Sequence, residues 1–322
     1  MGWSRQLKLS ISFSLVLLFF PVNVGLATGN DGGLIPMGHS IGIKMDLSGV
    51  FVTNDVMLDK KIWLKAGDLI EKVDGVTIVK LENFEKALSI IRDKPNITMF
   101  VLRNAELLQI QSDSEAMKRL IPFLKDRTEG TGTLTYVDPK QGTYGALGHQ
   151  IIDSSFNSPP SFTEGSIYLS KIGQIRKSIP GNPGYKISTI VKDEHTLGTI
   201  NKNGIYGIFG TWNTSFKEVL AEPLEIMQPS TVKVGDAEIY TTVKGTQVES
   251  FSITITSVEK DQFHFTLTDS KLLETTGGIL QGMSGSPVIQ NGKFAGAVTH
   301  MFVDEPEKGA ALFLSTMRSG EK

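Results

Sequence analysis

Short apolar runs separated by glycines make up most of the chain from about residue 130 onward. Many of them alternate apolar and polar positions with the period of two that is typical of a half-buried strand. Regularly spaced strands with turn signals between them predict an all-β barrel or sandwich. The runs cover residues 131–137, 144–152, 165–172, 187–191, 205–210, 238–243, 251–258 and 263–267.

The pattern before residue 110 is different, because one helix interrupts the strands. Residues 83–91 place apolar side chains at helical spacing and predict an amphipathic helix. A short helix is also expected between residues 112 and 126. These patterns predict a small α+β unit followed by a connecting segment and then the β-rich region.

The N-terminus predicts a targeting segment. Arg5 and Lys8 precede the apolar run 9–20, and Pro21 and Ala27 follow it. A basic start, an apolar centre and small residues are features of an export signal or of a single membrane anchor, and the sequence leaves open which of the two is present. We therefore expect the protein to act outside the cytosol and close to a membrane.

The amino-acid composition excludes several kinds of partner and active-site chemistry. The chain has 322 residues with 32 basic and 34 acidic side chains, so its formal net charge is −2. Without a basic surplus, nucleic acid is not expected as a partner. The absence of cysteine excludes disulfides, a thiolate nucleophile and cysteine-bound zinc. We expect neither a metal nor an organic cofactor.

Ser284 is the first candidate for a catalytic residue. It lies in the segment Gly-Gly-Ile-Leu-Gln-Gly-Met-Ser-Gly-Ser-Pro, residues 277–287. Glycines beside a serine permit backbone dihedrals that expose the hydroxyl, and the N–H groups of Gly282 and Ser284 are the candidate oxyanion hole. Asn291 and Gly292 predict a hairpin turn just downstream. Two surface hairpins without chemistry would show the same pattern, so the serine needs a base.

His149 is the candidate base. It follows the small-residue strand 144–148 and precedes Ser284 by a separation close to that of peptidases whose base and nucleophile come from two barrels. His300 is the main rival because it lies near Ser284 in the sequence. His195, in a charged turn, is expected to be solvated, and His264 is expected in a strand.

Residues 282–299 resemble the nucleophile loop of trypsin-like serine peptidases, in which a hairpin and a strand follow the serine. The resemblance places Thr299 and His300 on the strand that pairs with the substrate backbone and walls the primary specificity pocket. Met283 stands where those enzymes carry the aspartate that receives the new N-terminus on activation. That activating ion pair is therefore unavailable in this chain.

Residues 34–110 resemble a PDZ domain. Residues 40–43, Ser-Ile-Gly-Ile, are similar to its carboxylate-binding loop, and residues 64–70 and 73–78 are similar to its central strand and turn. The resemblance implies that Ile41, Gly42 and Ile43 bind a peptide, from a substrate or from the chain itself, as an added strand. Docking there is expected to contribute to substrate discrimination.

Motifs spread over almost the whole chain resemble the stage IV sporulation protein B family of serine peptidases. They are residues 36–42, 132–135, 144–149, 181–184, 207–210 and 277–287. The resemblance implies His149 as base, Ser284 as nucleophile and Asp269 as the aspartate needed for activity. Asp269 is then expected either to orient His149 or to organise the nucleophile loop, whereas sequence spacing alone favours Asp193 for orienting His149. A helix-capping or turn role would explain either aspartate.

The expected fold is mainly β, with a small PDZ-like α+β domain followed by a trypsin-like two-barrel β domain. The expected organisation is a targeting segment, a linker, the PDZ-like domain, a linker with a short helix and the peptidase domain, at residues 1–27, 28–33, 34–110, 111–129 and 130–322.

The family resemblance implies a sporulation serine endopeptidase. Such an enzyme cleaves itself and a membrane-bound regulatory protein in the space between forespore and mother cell, and thereby triggers sigma factor processing. It is exported across the forespore membrane and is either anchored or released. The alternative is a catalytically inactive PDZ-containing binding or scaffold protein of the cell envelope.

Overall fold

The computed structural model describes residues 33–59, 62–91, 94–155, 157–191, 196–215 and 221–321. These residues belong to one compact unit, Gly32–Lys322. The predicted targeting segment 1–27 lies outside the described residues, as do Asp193 and His195. Within the described ranges, every helix is too short or too polar to cross a membrane.

Strands account for most of the described chain. In chain order they are β1 (Ile35–Pro36), β2 (Ser40–Val52), β3 (Val56–Asp59), β4 (Ile62–Leu64), β5 (Leu69–Val73), β6 (Val76–Thr77), β7 (Ile97–Arg103), β8 (Glu106–Ser112), β9 (Leu124–Asp138), β10 (Thr143–Ala146), β11 (Phe162–Arg176), β12 (Gly184–Ile190), β13 (Gly198–Gly204), β14 (Gly207–Trp212), β15 (Gly235–Lys244), β16 (Gln247–Val258), β17 (Gln262–Leu267), β18 (Leu280–Gln281), β19 (Pro287–Gln290), β20 (Lys293–Phe302) and β21 (Glu305–Phe313). The helices are α1 (Leu81–Ile91), α2 (Ser114–Lys118), α3 (Ser270–Thr276) and α4 (Leu314–Ser319), with 3-10 turns at Ile121–Phe123 and Pro229–Thr231.

Six antiparallel strands form the first barrel. Pairing joins β2, β9, β10, β14, β13 and β11 in that order, and β11 pairs again with β2, which closes the ring. Alternate side chains fill its interior, among them Ile41, Ile43, Leu134, Ile167 and Ile208. The strand β12 continues outward from β11 and pairs in parallel with β18.

The second barrel is also closed and contains β15, β16, β17, β21, β20 and β19. Its core is rich in aromatic side chains, including Phe251, Phe263, Phe265 and Phe313. The hairpin predicted at Asn291 and Gly292 is confirmed, because β19 and β20 meet there and the two residues have φ of 52° and 71°. The predicted mainly β fold with two barrels is therefore confirmed.

An insert with its own core lies between β2 and β9. Phe84, Ala87 and Leu88 of α1 pack with side chains of β5, β7 and α2. The predicted amphipathic helix is confirmed as α1, and the predicted short helix is confirmed as α2, whose first turn is capped by Asp113. The insert sheet continues into the first barrel, because β5 pairs with β2.

The structure contradicts the predicted carboxylate-binding loop at Ile41, Gly42 and Ile43. These residues lie in β2, where residues 130–132 of β9 pair with one edge and residues 167–169 of β11 pair with the other. Ile41 and Ile43 are buried in the barrel core. A strand paired on both edges has no free backbone groups for an incoming peptide, so the predicted role of these three residues in peptide binding is wrong.

The predicted boundary between the two domains is corrected for the same reason. Residues 34–47 contribute β1 and most of β2 to the first barrel, so the peptidase domain starts before the insert and resumes after it. The insert also contacts β9 at the start of α1, since the Leu81 N–H donates to the Asp126 carboxylate at 2.9 Å. The α+β unit is thus an insertion into the barrel domain.

Candidate active site

One cleft brings together most of the side chains predicted for catalysis. It has a volume of about 820 Å³, and His149, Gly282, Ser284, Thr299 and His300 line it. His149 follows β10 of the first barrel, whereas Thr299 and His300 belong to β20 of the second. The cleft therefore combines groups from both barrels.

Ser284 lies in the turn between β18 and β19. Gly282 and Gly285 on either side have φ of 94° and 95°, a backbone conformation that glycine adopts at little cost. The half-buried Ser284 hydroxyl donates to the carbonyl oxygen of Thr299 at 3.0 Å. This hydroxyl is therefore bound to a main-chain carbonyl and not to a base.

A tight turn at the end of β10 directs His149 into the cleft. Leu147 and Gly148 have φ of 74° and 72°, and the Gly148 N–H donates to the Ala146 carbonyl at 3.0 Å. This is a γ-turn with a positive φ at its centre, which is rare and strained for a residue other than glycine. Strain of this kind persists only where the surrounding packing holds it, and Leu147 is buried.

The contacts of the His149 ring fix its tautomer. Its Nδ1 lies 2.9 Å from the carbonyl oxygen of Gln150. Because a carbonyl can only accept, Nδ1 carries the proton and Nε2 is left as an acceptor in the neutral ring. In the described part of the chain no carboxylate contacts His149, so a main-chain carbonyl takes the position that an aspartate occupies in a Ser-His-Asp triad.

His300 is a second histidine in the cleft, with its ring centroid 6.1 Å from that of His149. Its Nδ1 donates to the Thr299 hydroxyl at 2.8 Å, since that hydroxyl donates its own proton to the Ala310 carbonyl. Burial lowers the pKa of His300, and the neighbouring His149 lowers it further. Both effects favour the neutral form of the His300 ring beside the candidate base.

The structure does not bring Asp269 to His149. Asp269 is the N-cap of α3, and its carboxylate accepts from the Leu272 N–H at 2.9 Å. The helix ends at Gly277, which leads into the nucleophile segment. The role predicted for Asp269 in orienting the base is therefore corrected to helix capping, and Asp193 lies outside the described residues.

Gly282 and Ser284, which carry the candidate oxyanion N–H groups, both line the cleft. The Met283 N–H donates to the Leu280 carbonyl, and the Ser286 N–H donates to the Met283 carbonyl, both at 3.0 Å. Across the described ranges, the N–H groups of Gly282 and Ser284 have no hydrogen-bond acceptor. They are thus available to an oxygen bound in the cleft.

Asp153 is a further carboxylate of the cleft wall. It accepts from Lys125 at 2.7 Å, from the Ser155 N–H at 2.9 Å and from the Thr128 hydroxyl. Burial alone would raise the pKa of Asp153, but these hydrogen bonds outweigh it and hold the pKa below the ordinary value. Within the described ranges, no group of three or more acidic or histidine side chains is placed to bind a metal ion.

Lys186 is a buried residue beside the site that the sequence did not reveal. Its side chain lies 3.6 Å from the position that a Cβ on Gly282 would occupy, and its Nζ donates to the Thr241 hydroxyl at 3.0 Å. Burial lowers the pKa of Lys186 to about 7. The neighbours Tyr185 and Ile187 are exposed instead, so alternation along β12 predicts the reverse orientation and gives no signal for this lysine.

Two closed β-barrels with a serine, a histidine and free N–H groups at their shared cleft define a serine peptidase of the trypsin-like class. The family model described as SpoIVB peptidase S55 matches residues 117–318, and the chain belongs to this family. No curated protein matches the chain.

Several solved protease structures are similar to the chain at low identity. The active form of the Rv3671c protease from M. tuberculosis is 13% identical with a TM-score of 0.36, covering 60% of this chain and 73% of that one. Its inactive form is 14% identical with a TM-score of 0.33, covering 59% and 82%. The HtrA-type protease AlgW with a decapeptide is 10% identical with a TM-score of 0.31, covering 67% and 53%.

Proposed function

We propose that this serine peptidase is a sporulation endopeptidase that cleaves itself and a membrane-bound regulatory protein in the space between forespore and mother cell, so that sigma factor processing follows. Membership of the SpoIVB peptidase family supports the sporulation role. The open cleft that holds Ser284 together with an acceptor nitrogen of His149 carries the hydrolytic part.

In the proposed reaction the Ser284 hydroxyl turns from the Thr299 carbonyl to Nε2 of His149. As Ser284 attacks the scissile carbonyl, His149 takes its proton, and the N–H groups of Gly282 and Ser284 stabilise the oxyanion. His149 then donates this proton to the leaving amine, which breaks the peptide bond. Water attacks the acyl-enzyme with His149 again as base, and the carboxylic acid product leaves.

The Gln150 carbonyl orients His149 in this scheme. It keeps the proton on Nδ1, which is the tautomer that a base acting through Nε2 requires. A neutral carbonyl stabilises the imidazolium less than a carboxylate does, because it carries only a dipole. We therefore expect slower turnover than in peptidases with a full triad.

The proposed substrate is an extended protein segment. Uncharged side chains including Pro183, Met301 and Val303 line part of the cleft that holds Ser284. They favour apolar side chains in the bound segment, and a membrane-bound protein would supply such side chains. The basic and apolar N-terminal sequence supports export and membrane proximity.

Self-cleavage of the full chain tests the hydrolytic part. We expect fragments, identified by mass spectrometry, from the parent chain but not from Ser284→Ala, and His149→Ala should slow cleavage by at least about 10³-fold because the base is lost. His300→Gln is the matched histidine control and should stay within about threefold. Fragments from folded Ser284→Ala, or an equal loss in the two histidine variants, would contradict the assignments.

Complementation tests the sporulation part. In a spore-forming bacterium that lacks its own family member, the parent chain should restore cleavage of the membrane-bound regulator and processing of the sigma factor. Ser284→Ala, produced at the same level, should restore neither. Equal restoration by both chains would favour the binding-protein alternative, and cleavage in vitro without restoration by either would remove only the sporulation role.

A further inference from the structure

Thr133 connects the loop of the nucleophile with the loop of the base. It lies in β9 of the first barrel and is fully buried. Its N–H donates to the Ser284 carbonyl at 3.1 Å, and its hydroxyl donates to the Gly282 carbonyl at 2.8 Å. Its own carbonyl accepts from the Leu147 N–H at 3.2 Å, two residues before His149. One residue therefore binds both catalytic loops.

The two bonds to the nucleophile loop fix alternate peptide groups of that loop. In the group between Gly282 and Met283, the Thr133 hydroxyl holds the carbonyl, and Leu280 accepts from the N–H. In the group between Ser284 and Gly285, the Thr133 N–H holds the carbonyl, and the Gly285 N–H donates to Val298 at 2.7 Å. Neither of these peptide groups can rotate without breaking a hydrogen bond at each end.

The peptide group between them, Met283–Ser284, carries the N–H of Ser284, a residue that lines the cleft. Its carbonyl accepts from Ser286, so its N–H faces the opposite way and remains free. An oxyanion donor contributes to catalysis only when its direction is set before the reaction, because reorientation during the reaction costs free energy. The bonds from Thr133 set this direction.

Close packing at Gly285 shows how tightly the two barrels meet at Thr133. A Cβ on Gly285 would lie 2.2 Å from the Thr133 carbonyl oxygen and 2.6 Å from the Leu147 nitrogen. Both distances are far below a van der Waals contact. The nucleophile loop thus rests directly on the backbone of the first barrel.

We propose that the Thr133 hydroxyl is a positioning group for the oxyanion hole, and this inference rests on Ser284 as nucleophile in the proposed function. Met283 replaces the aspartate whose ion pair orders this loop in trypsin-like enzymes. The hydroxyl replaces that ion pair with a neutral bond from the other barrel. The loop is then ordered as soon as the barrels dock, and no cleavage of the N-terminus is needed to order it.

Labelling of the full chain with a fluorophosphonate measures this role, because the probe reacts with the active serine and places its phosphoryl oxygen at the oxyanion site. Thr133→Val keeps the backbone bonds and removes only the hydroxyl. We expect its labelling rate at saturating probe to fall about 10-fold to 10²-fold, with the half-saturating concentration within about threefold. Thr133→Ser keeps a hydroxyl and should label at nearly the parent rate.

Thr135→Val is the matched control. Thr135 lies two residues along β9, is also fully buried, and its hydroxyl has no partner within the described part of the chain. Removing that hydroxyl should leave labelling unchanged. Equal rates for Thr133→Val and the parent, equal losses at positions 133 and 135, or a failure of Thr133→Ser to label would each overturn the proposal.

A second variant covers the case in which Thr133→Val does not fold, as judged by its thermal unfolding. Thr133→Cys places a weak donor at the same position and should label between the serine and valine variants. A cysteine variant as fast as the parent would overturn the proposal. Labelling of Ser284→Ala, or a parent chain that does not label, would overturn the nucleophile assignment itself, which separates the two failures.

Discussion

Lys186 places a buried amine against the nucleophile loop without a counter-ion. Among the described residues no carboxylate lies within ion-pair distance of its Nζ, and its hydrogen-bond acceptor is the neutral hydroxyl of Thr241. Burial lowers the pKa from 10.5 to about 7 in the folded chain. Between these two pH values the unfolded chain holds a proton that the folded chain lacks.

The free energy of unfolding should therefore rise with pH between about pH 7 and pH 10.5, by up to about 1.4 kcal/mol per pH unit from this group. Lys186→Met, which fills the same space without a charge, should remove this part of the slope. Denaturant unfolding at pH 7, 8.5 and 10 measures it. Lys171→Met removes an exposed lysine from the neighbouring strand as a control, and an unchanged slope in Lys186→Met would contradict the prediction.

At the scale of single residues, the sequence predicts the groups whose local context is diagnostic. Gly282 and Gly285 beside Ser284, and Gly148 just before His149, take positive φ values that glycine adopts at little cost. Thr133 and Lys186 act through contacts with residues far away in the chain, and no local pattern marks them. The carbonyl that orients His149 belongs to the backbone and has no sequence signature.

At the scale of elements, Asp269 and the nucleophile segment lie at opposite ends of α3. Its N-cap lies at one end, and its other end leads through Gly277 to the nucleophile segment. We expect Asp269→Ala to lower stability by about 1 kcal/mol through loss of the cap, with labelling of Ser284 by the fluorophosphonate changed by less than about threefold.

Asp269→Asn separates capping from catalysis, because asparagine caps helices about as well as aspartate but carries no charge. It should retain both the stability and the labelling rate of the parent, measured by denaturant unfolding and by probe kinetics. A loss of about 10³-fold or more in the folded asparagine variant would instead show that the carboxylate orients the base.

A comparison of the predicted runs with the observed strands shows where hydrophobic periodicity predicts a strand correctly and where it fails. Most predicted runs correspond to strands, but the run at 144–152 ends early at Ala146, because the turn at Leu147 interrupts it. The strand β13 was missed because residues 198–204, Gly-Thr-Ile-Asn-Lys-Asn-Gly, are mostly polar. The start of β2 was predicted as a carboxylate-binding loop, because no local pattern shows that β9 and β11, which lie far along the chain, pair with both its edges.

At the scale of the whole molecule, the insert joins the barrel through two adjacent strands. Asp46 of β2 and Arg127 of β9 are paired residues. Replacing residues 47–126 by an Asn-Gly turn should therefore leave a closed hairpin and a folded barrel. We expect the fluorophosphonate to label Ser284 in this variant within about threefold of the parent rate, because the insert contributes few groups to the cleft.

Removal of residues 34–110 is the contrasting deletion, because it takes β1 and all of β2 out of the first barrel. That chain should not fold, as measured by circular dichroism, and should not label. A folded and active product of this deletion, or an unfolded product of the Asn-Gly replacement, would contradict the insertion described above.

Because the insert is attached at two paired residues, another domain can be inserted at the same position. Residues paired across two antiparallel strands lie about 5 Å apart. A domain whose own termini are that close can therefore be inserted there without a change in the strand order of the barrel. The same two strands continue to Ser40 and Thr133. A ligand-responsive domain grafted at this point would have a short mechanical path to the catalytic loops, which makes the fold suited to the construction of switchable proteases.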